Sequence, residues 1–399
     1  MPRTIAGMQS MEHATSAATA RIQAAMASGA PLRIRGGGSK DFYGPNPAGD
    51  VLETGGFSGV LSYEPSELVV TAGAGTPLVE LEALLAEHGQ CLPFEPPHFA
   101  WSQTQGASMA TVGGMVAAGL AGPARASVGG VRDYVLGLKL INGQAQHLTF
   151  GGQVMKNVAG YDVSRLMVGS MGALGLITEV SLKVLPVAPA EATLVFEVDQ
   201  AAALEQLHRW GGEPLPLNAS CWVHDDSAPA VVPAKDLLFV RLRGAVAAVE
   251  AAVVRMRADL AGTRMDNAQA QPDWALCRDQ KLPFFHRPAD PALALWRLSV
   301  PQTAPVLPVP WAQLIEWHGG LRWLWAPMDA AETLQTVAQR VGGNATVFIA
   351  VHAYSTAAKG QFGKKSYAQT AVEQRLKTSF DPHGIFNLGL TPHANHASA

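Results

Sequence analysis

The chain has 399 residues, 48 % of them apolar, with a net charge of −3 and a pI near 6.5. That size supports two or three domains around a substantial core, and the apolar share argues against disorder. The near-neutral balance gives no reason to expect nucleic acid or an anionic membrane surface as a partner.

Cys91, Cys221 and Cys277 are far apart and no CxxC occurs. That argues against a disulfide framework, a zinc ribbon and a protein-ligated iron–sulfur cluster, and it suits a reducing compartment. The N-terminus lacks the charged-then-apolar pattern of an export signal. The apolar run Met109–Ala124 is broken by glycines and a proline and falls short of the ~20 residues of a bilayer span.

In chain order, Ala14–Ser28 reads as an alanine-rich helix stopped by Gly29 and Pro31. Pro31–Arg35 reads as a strand entering the turn Gly36-Gly37-Gly38-Ser39-Lys40. Glycines there free several backbone N–H groups to converge on an anion such as a diphosphate, while Ser39 adds a hydroxyl and Arg35 and Lys40 add charge. An ordinary flexible turn would look the same.

Strands are expected at Gly59–Glu64 and Glu67–Ala72, then a helix with Thr76 as N-cap, Pro77 at its first position and Gly89 as terminator. The next glycine-rich stretch, Gly106–Gly119, offers the hydroxyls of Ser108 and Thr111, with Gly113 and Gly114 where a helix begins. A helix start with small residues suits a phosphate or a flavin edge; tight helix–sheet packing selects the same residues. Strands Leu136–Ile141 and Gln144–Phe150 flank Asn142-Gly143, which predicts a hairpin with a type I′ turn.

The longest informative stretch is Gly151–Pro186. It contains Lys156 and Asn157, a helix-like run from Tyr161 to Val168, the spaced glycines Gly169, Gly172 and Gly175, and a strand. In that strand Val180, Leu182 and Val184 alternate with Ser181 and Lys183. Pro186 and Pro189 then suggest a linker. Beyond them, helices around Ala201–Trp210, Ala245–Leu260 and Ala330–Val341 alternate with strands at Thr193–Val198, Leu237–Arg241, Ala294–Val300, Leu321–Ala326 and Thr346–Ala353. That alternation indicates a separate α+β domain. The end carries a helix near Gln369–Thr378 and a turn over Phe380–Gly389.

The usual nucleotide fingerprints are missing. Gly36-x-Gly38 leads to Asp41 and Gly73-x-Gly75 to Leu78, so neither completes GxGxxG, and no GxxxxGK[ST] occurs. There is no HExxH and no GxSxG. His393 and His396 lie in a loose tail, so no metal site is expected.

Taken together, IRGGGSK, SMATVGGMVAAG, KNVAGYDVSRLMVGSMGALGLITEVSLKVLP and LKTSFDPHGIFNLG resemble the vanillyl-alcohol-oxidase (PCMH-type) FAD-binding family. Within it, QVMKNVAGYD and LWRLSVP are most similar to the FAD-binding E-subunit family of bacterial glycolate oxidases. The resemblance implies an α+β fold: a PCMH-type FAD-binding domain of two α+β subdomains over 1–188, an α+β cap-like domain over 189–365, and a C-terminal return with a tail over 366–399. It implies that Arg35, Gly36, Gly37, Gly38, Ser39 and Lys40 wrap the FAD diphosphate. Ser108, Thr111, Gly113 and Gly114 would match a second contact segment, and Gly172, Gly175 and Ile177 a third. No histidine stands at the loop positions where some relatives bond the flavin covalently, so non-covalent FAD is expected.

The related catalytic subunits carry a paired-histidine motif around a GDGN core. Here the comparable neighbourhood, Glu316–Trp323, holds only His318. Oxidising a 2-hydroxy acid needs a cation for the carboxylate and a base for the hydroxyl proton. Arg297 and Arg322 are the candidate anchors and His318 the candidate base. A structural ion pair is nevertheless the more common explanation for such arginines, and His318, the weaker candidate, would also read as a hydrogen-bonded core histidine. Trp311, Trp317, Trp323 and Trp325 suggest packing or a subunit interface.

The implied role is an FAD subunit that oxidises glycolate to glyoxylate alongside a sister FAD-containing hydroxyacid dehydrogenase subunit and an iron–sulfur subunit. Its expected location is cytoplasmic, reaching the inner membrane only through the complex. The alternatives are a stand-alone FAD-dependent dehydrogenase of a small alcohol or hydroxy acid, and a non-catalytic FAD-binding scaffold.

Overall fold

The computed structural model describes residues 5–44, 47–99, 109–152, 162–226, 233–351 and 366–388. They fall into two compact units. The first comprises 1–120, 130–186 and 365–399, and the second 121–129 and 187–364. The short excursion 121–129 thus leaves the first unit's chain and folds with the second. Lys156, Asn157 and Ser108 lie outside the described residues. Among the described residues, no helix is long and apolar enough to cross a membrane.

The first unit opens on helix Ile5–Ser28, longer than expected at its start. Its buried Met11, Ala18, Ile22 and Ala25 recur at helical spacing and pack with Leu32, Leu52, Phe57 and Phe386. Gly29, at φ +71°, ends it. The strands β1 (Leu32–Arg35) and β2 (Asp50–Glu53) pair in parallel. Next come β3 (Val60–Glu64), β4 (Val69–Gly73), β5 (Gln90–Cys91), β6 (Val135–Ile141), β7 (His147–Gly151), β8 (Leu176–Lys183) and β9 (Leu185–Pro186). The main sheet has the order β3-β4-β8-β6-β7, and β5 pairs with β9.

Three local expectations give way. Thr76 does not cap helix Leu78–Glu87; its hydroxyl instead accepts from the Gly59 amide at 2.9 Å, fixing the start of β3. The β6–β7 pair is antiparallel as expected, but its connection is no type I′ turn. Asn142 Oδ1 accepts from the amides of Gln144 and Gln146, Ala145 takes the left-handed conformation at φ +58°, and the Gly143 amide donates to Phe380. A tertiary contact to the C-terminal segment has displaced the local turn preference. In β8 residues of both parities are buried, so both faces of the strand are covered. Ser181 is therefore buried and satisfied by Thr71 on the neighbouring strand, 2.8 Å away.

The second unit is built on one antiparallel sheet of eight strands. They are β10 (Ala190–Glu197), β11 (Leu217–Asp225), β12 (Lys235–Gly244), β13 (Gly262–Met265), β14 (Leu293–Ser299), β15 (Gln313–Glu316), β16 (Leu321–Pro327) and β17 (Asn344–Ile349), in the order β13-β10-β12-β11-β15-β16-β14-β17. The order reads the same from either edge: each half is a βαββαβ-like unit with its second strand at the centre, joined β11 to β15. No sequence repeat announces this. Helices Gln200–Gly211 and Val246–Asp259 cover the first half on one face, and Ala331–Arg340 covers the second. In the second half an irregular proline-bearing segment, 300–312, stands where the first half has its first helix.

Candidate functional site

Within the first unit, three stretches far apart in sequence line one open cleft: the turn after β1, the start of helix Val112–Ala118, and the segment leading into β8. Its void, counted to the open mouth, is about 930 Å³. Arg35, Gly36, Gly37, Gly38, Ser39, Lys40, Thr111, Gly113, Gly114, Gly172, Gly175 and Ile177 all line it. Thr54, Ala74 and Tyr43 also line it and carried no sequence signal of their own, whereas Ala117 and Ala118 sit in the quoted SMATVGGMVAAG motif and Asn387 in FNLG.

The turn needs Gly37, where a Cβ would stand 1.7 Å from the Met109 carbonyl oxygen; only bare backbone lets the first and second stretches meet. Thr111 caps helix Val112–Ala118, its hydroxyl accepting from the Gly114 amide at 3.2 Å. The paired glycines divide the two roles left open from sequence. Gly113 presses on Ala74 and serves packing. A Cβ on Gly114 would meet only Thr111 Oγ1, at 3.1 Å, so a longer side chain there enters the cleft.

Charge is less free than expected. Arg35 Nε donates to Asp41 Oδ2 at 2.8 Å, and Arg33 also reaches Asp41, at 3.4 Å. Arg35 is thus an ion-paired residue at the rim and not an uncommitted phosphate donor. Lys40 Nζ donates to Ser39 Oγ at 3.3 Å. Through their amides, Gly38 and Ser39 donate to no other described residue. Flat glycine walls, two hydroxyls and unclaimed amides fit the diphosphate and flat rings of a dinucleotide such as FAD.

A second cluster lies wholly within the second unit, at the turn between β15 and β16. Trp317, His318 and Gly319 have φ of +53°, +54° and +99°. The left-handed conformation costs about 1–2 kcal/mol for each non-glycine residue, so the turn survives only because its surroundings hold it. Trp317 Nε1 donates to the Gly122 carbonyl at 3.0 Å, the His318 amide to Ser220 Oγ at 2.9 Å, and Arg322 Nε to the Gly319 carbonyl at 2.8 Å.

The His318 ring is buried between two serines, with Nδ1 3.1 Å from Ser220 Oγ and Nε2 3.0 Å from Ser127 Oγ. Burial pushes its pKa down to about 4, so the imidazole is neutral at neutral pH, with one nitrogen donating and the other accepting. Ser127 itself is exposed.

Arg297 and Arg322 separate. Register pairs Arg297 with Trp323 and Arg322 with Leu298, so the two guanidiniums leave opposite faces of the sheet. They cannot grip one carboxylate together. Arg322 is 0 % exposed, donates to the carbonyls of Gly319 and Ala304, and has its pKa lowered to about 10 by burial. Its expected role as a substrate anchor gives way to that of a turn clamp. Arg297 remains half-buried, its guanidinium 5.3 Å from the Trp317 ring centre and 6.0 Å from that of Trp323. Its Nε meets no acceptor among the described residues. Arg125, from the 121–129 excursion, also lies over Trp317, at 4.8 Å.

Residues 13–151 match the family model described as an FAD binding domain. The chain is 42 % identical over 369 residues to glycolate oxidase subunit GlcE of Escherichia coli, covering 92 % of this chain and 95 % of that protein. It is 35 % identical to D-lactate dehydrogenase of Archaeoglobus fulgidus over 158 residues, and 30 % identical to glycolate oxidase subunit GlcD of Bacillus subtilis over 177. These two matches cover 33 % and 36 % of the relatives' own lengths. Among solved structures, alkyldihydroxyacetonephosphate synthase superposes with a TM-score of 0.63 over 92 % of this chain at 16 % identity, which establishes the shared fold.

Proposed function

The chain belongs to the GlcE family of FAD-binding glycolate oxidase subunits, and from that premise we propose that it works in a complex oxidising glycolate to glyoxylate. It is an FAD-dependent oxidoreductase of the class acting on CH–OH groups. In the proposed reaction glycolate gives up two electrons and two protons, and the electrons leave through an iron–sulfur partner. The cluster is assigned to another subunit because this chain has three cysteines and no CxxC, too few thiolates for a four-cysteine site. The observation carrying the reading is the convergence of three separated glycine-rich stretches on one cleft.

Bound FAD supplies a hydride acceptor that can pass electrons onward singly. The chain's own part is to bind and orient. The amides of Gly38 and Ser39 and the hydroxyls of Ser39 and Thr111 would hold the diphosphate, without a covalent link to the protein. Arg297 is the candidate carboxylate anchor, since its guanidinium can grip two oxygens and has no acidic partner among the described residues. His318, held neutral, is the candidate proton acceptor, reached through the exposed Ser127 hydroxyl.

One observation favours a second reading, in which the subunit carries FAD without turning over substrate itself: both ring nitrogens of His318 already have serine partners. An anaerobic visible spectrum of the purified chain separates the two. Glycolate bleaches the flavin if the chain is catalytic by itself and leaves it yellow if a sister subunit performs the chemistry. A chain that takes up no FAD defeats both.

A further inference from the structure

The match to the FAD-binding-domain model ends at residue 151, yet one cleft-lining residue comes from the far end of the chain. Asn387 is 4 % exposed, has φ +43°, and lines the cleft. Its Oδ1 accepts from the Ile34 amide at 2.8 Å and its Nδ2 donates to the Met171 carbonyl at 2.6 Å. Its own amide donates to Leu32 at 2.9 Å, while the Leu32 amide donates to Ile385 at 2.7 Å, so the return runs as a parallel rung beside β1. Ile34 leads straight into the Gly36–Ser39 turn, and Met171 precedes Gly172. At Gly172, φ is +73° and a Cβ would lie 2.6 Å from Asn387 Nδ2. One side chain therefore ties the first cleft wall to the third.

The return that carries Asn387 is itself anchored. Lys377 Nζ donates to Asp381 Oδ2 at 2.7 Å, to the Ala173 carbonyl at 2.7 Å and to the Phe386 carbonyl at 2.8 Å. Asp381 in turn accepts from the amides of Ile385 and Phe386. Both segments fastened here, 171–173 and β1, lead into the cleft.

We infer that Asn387 is a positioning residue for the cofactor: it sets the separation of the diphosphate turn from the Met171–Gly175 segment, so the C-terminal return belongs to the FAD site. This rests on the reading of the cleft as the FAD site. A preorganised cradle lowers the cost of binding, and a loosened one loses affinity without losing any direct contact.

The test is FAD affinity of refilled apo-protein, followed by flavin fluorescence well below the unfolding midpoint, with apo-protein stability measured in parallel. Asn387→Ala removes both hydrogen bonds and is expected to weaken FAD about tenfold or more. Asn387→Asp keeps the acceptor for Ile34 but sets a carboxylate against the Met171 carbonyl, and is expected to lose at least as much. Leu85→Ala, a core truncation in the same unit, is expected to lower stability while leaving FAD affinity within about twofold. Affinity unchanged in both Asn387 variants, or lost in Leu85→Ala to the same extent, reduces the return to a structural strap and overturns the inference. Gly114→Val, run alongside, tests the site itself. Flavin retained in that variant brings down the cleft assignment and this inference together, whereas flavin lost there but kept in the Asn387 variants brings down the inference alone.

Discussion

Ser127 Oγ and His318 Nε2 are 3.0 Å apart although 191 residues separate them in sequence, and the other ring nitrogen is closed off by Ser220. A buried imidazole between two hydroxyls binds a proton poorly, which makes stability pH-dependent. The ordinary value of 6.5 falls to about 4 in the folded protein through burial. Above 6.5 the ring is neutral in both states. As pH falls through that value, the unfolded chain takes a proton that the folded chain refuses until about 4, so stability drops across this window. Between about pH 7.5 and pH 5 the loss from this group is about 2 kcal/mol. Urea unfolding at the two pH values measures it, and His318→Asn should flatten the difference by that amount.

The two arginines of the second unit are expected to respond differently to substitution. Arg297→Lys should weaken glycolate or oxalate binding, read by tryptophan fluorescence, by about tenfold, because an ammonium cannot replace a planar fork stacked on two indoles. Arg322→Met should leave that binding unchanged and cost about 1–3 kcal/mol of stability, since the carbonyls of Gly319 and Ala304 lose their donor. Equal effects of the two on binding would remove the distinction.

Lys377 and Asp381 are 7 % and 0 % exposed in their side chains. Removing one partner of such a pair leaves an uncompensated buried charge, so Asp381→Asn and Lys377→Met should each cost about 3–5 kcal/mol in chemical denaturation. A loss below about 1 kcal/mol would mean that water reaches the pair on small rearrangement.

Gly37→Ala should yield protein with little flavin, because the Cβ must push the Met109 backbone away and open the junction between the first two stretches. Absorbance near 450 nm relative to that of the protein gives the occupancy (about tenfold lower is expected from the lost hydrogen bonds). Full flavin content would show that the turn relaxes without consequence.

Sequence alone was informative wherever the physics is local. The glycines at 36–38 and 113–114, the stop at Gly29 and the apolar periodicity of the helices encode backbone freedom and one-sided burial over a few residues. The elements they mark stand close to where they were expected. Strand Leu217–Asp225 and helix Asn267–Arg278 escaped notice. The first is nearly all buried and carries no alternation, and the second contains Pro272.

What only the tertiary structure decided are relations that no spacing rule reaches. Register put Arg297 and Arg322 on opposite faces, a C-terminal contact overrode the Asn142-Gly143 turn preference, and the 121–129 excursion brought Ser127 to His318. Asn387 reached Ile34 across nearly the whole chain. The reason is physical: propensity and capping act within a turn or two of backbone, whereas burial and hydrogen-bond satisfaction are settled by whichever segments the sheets bring side by side.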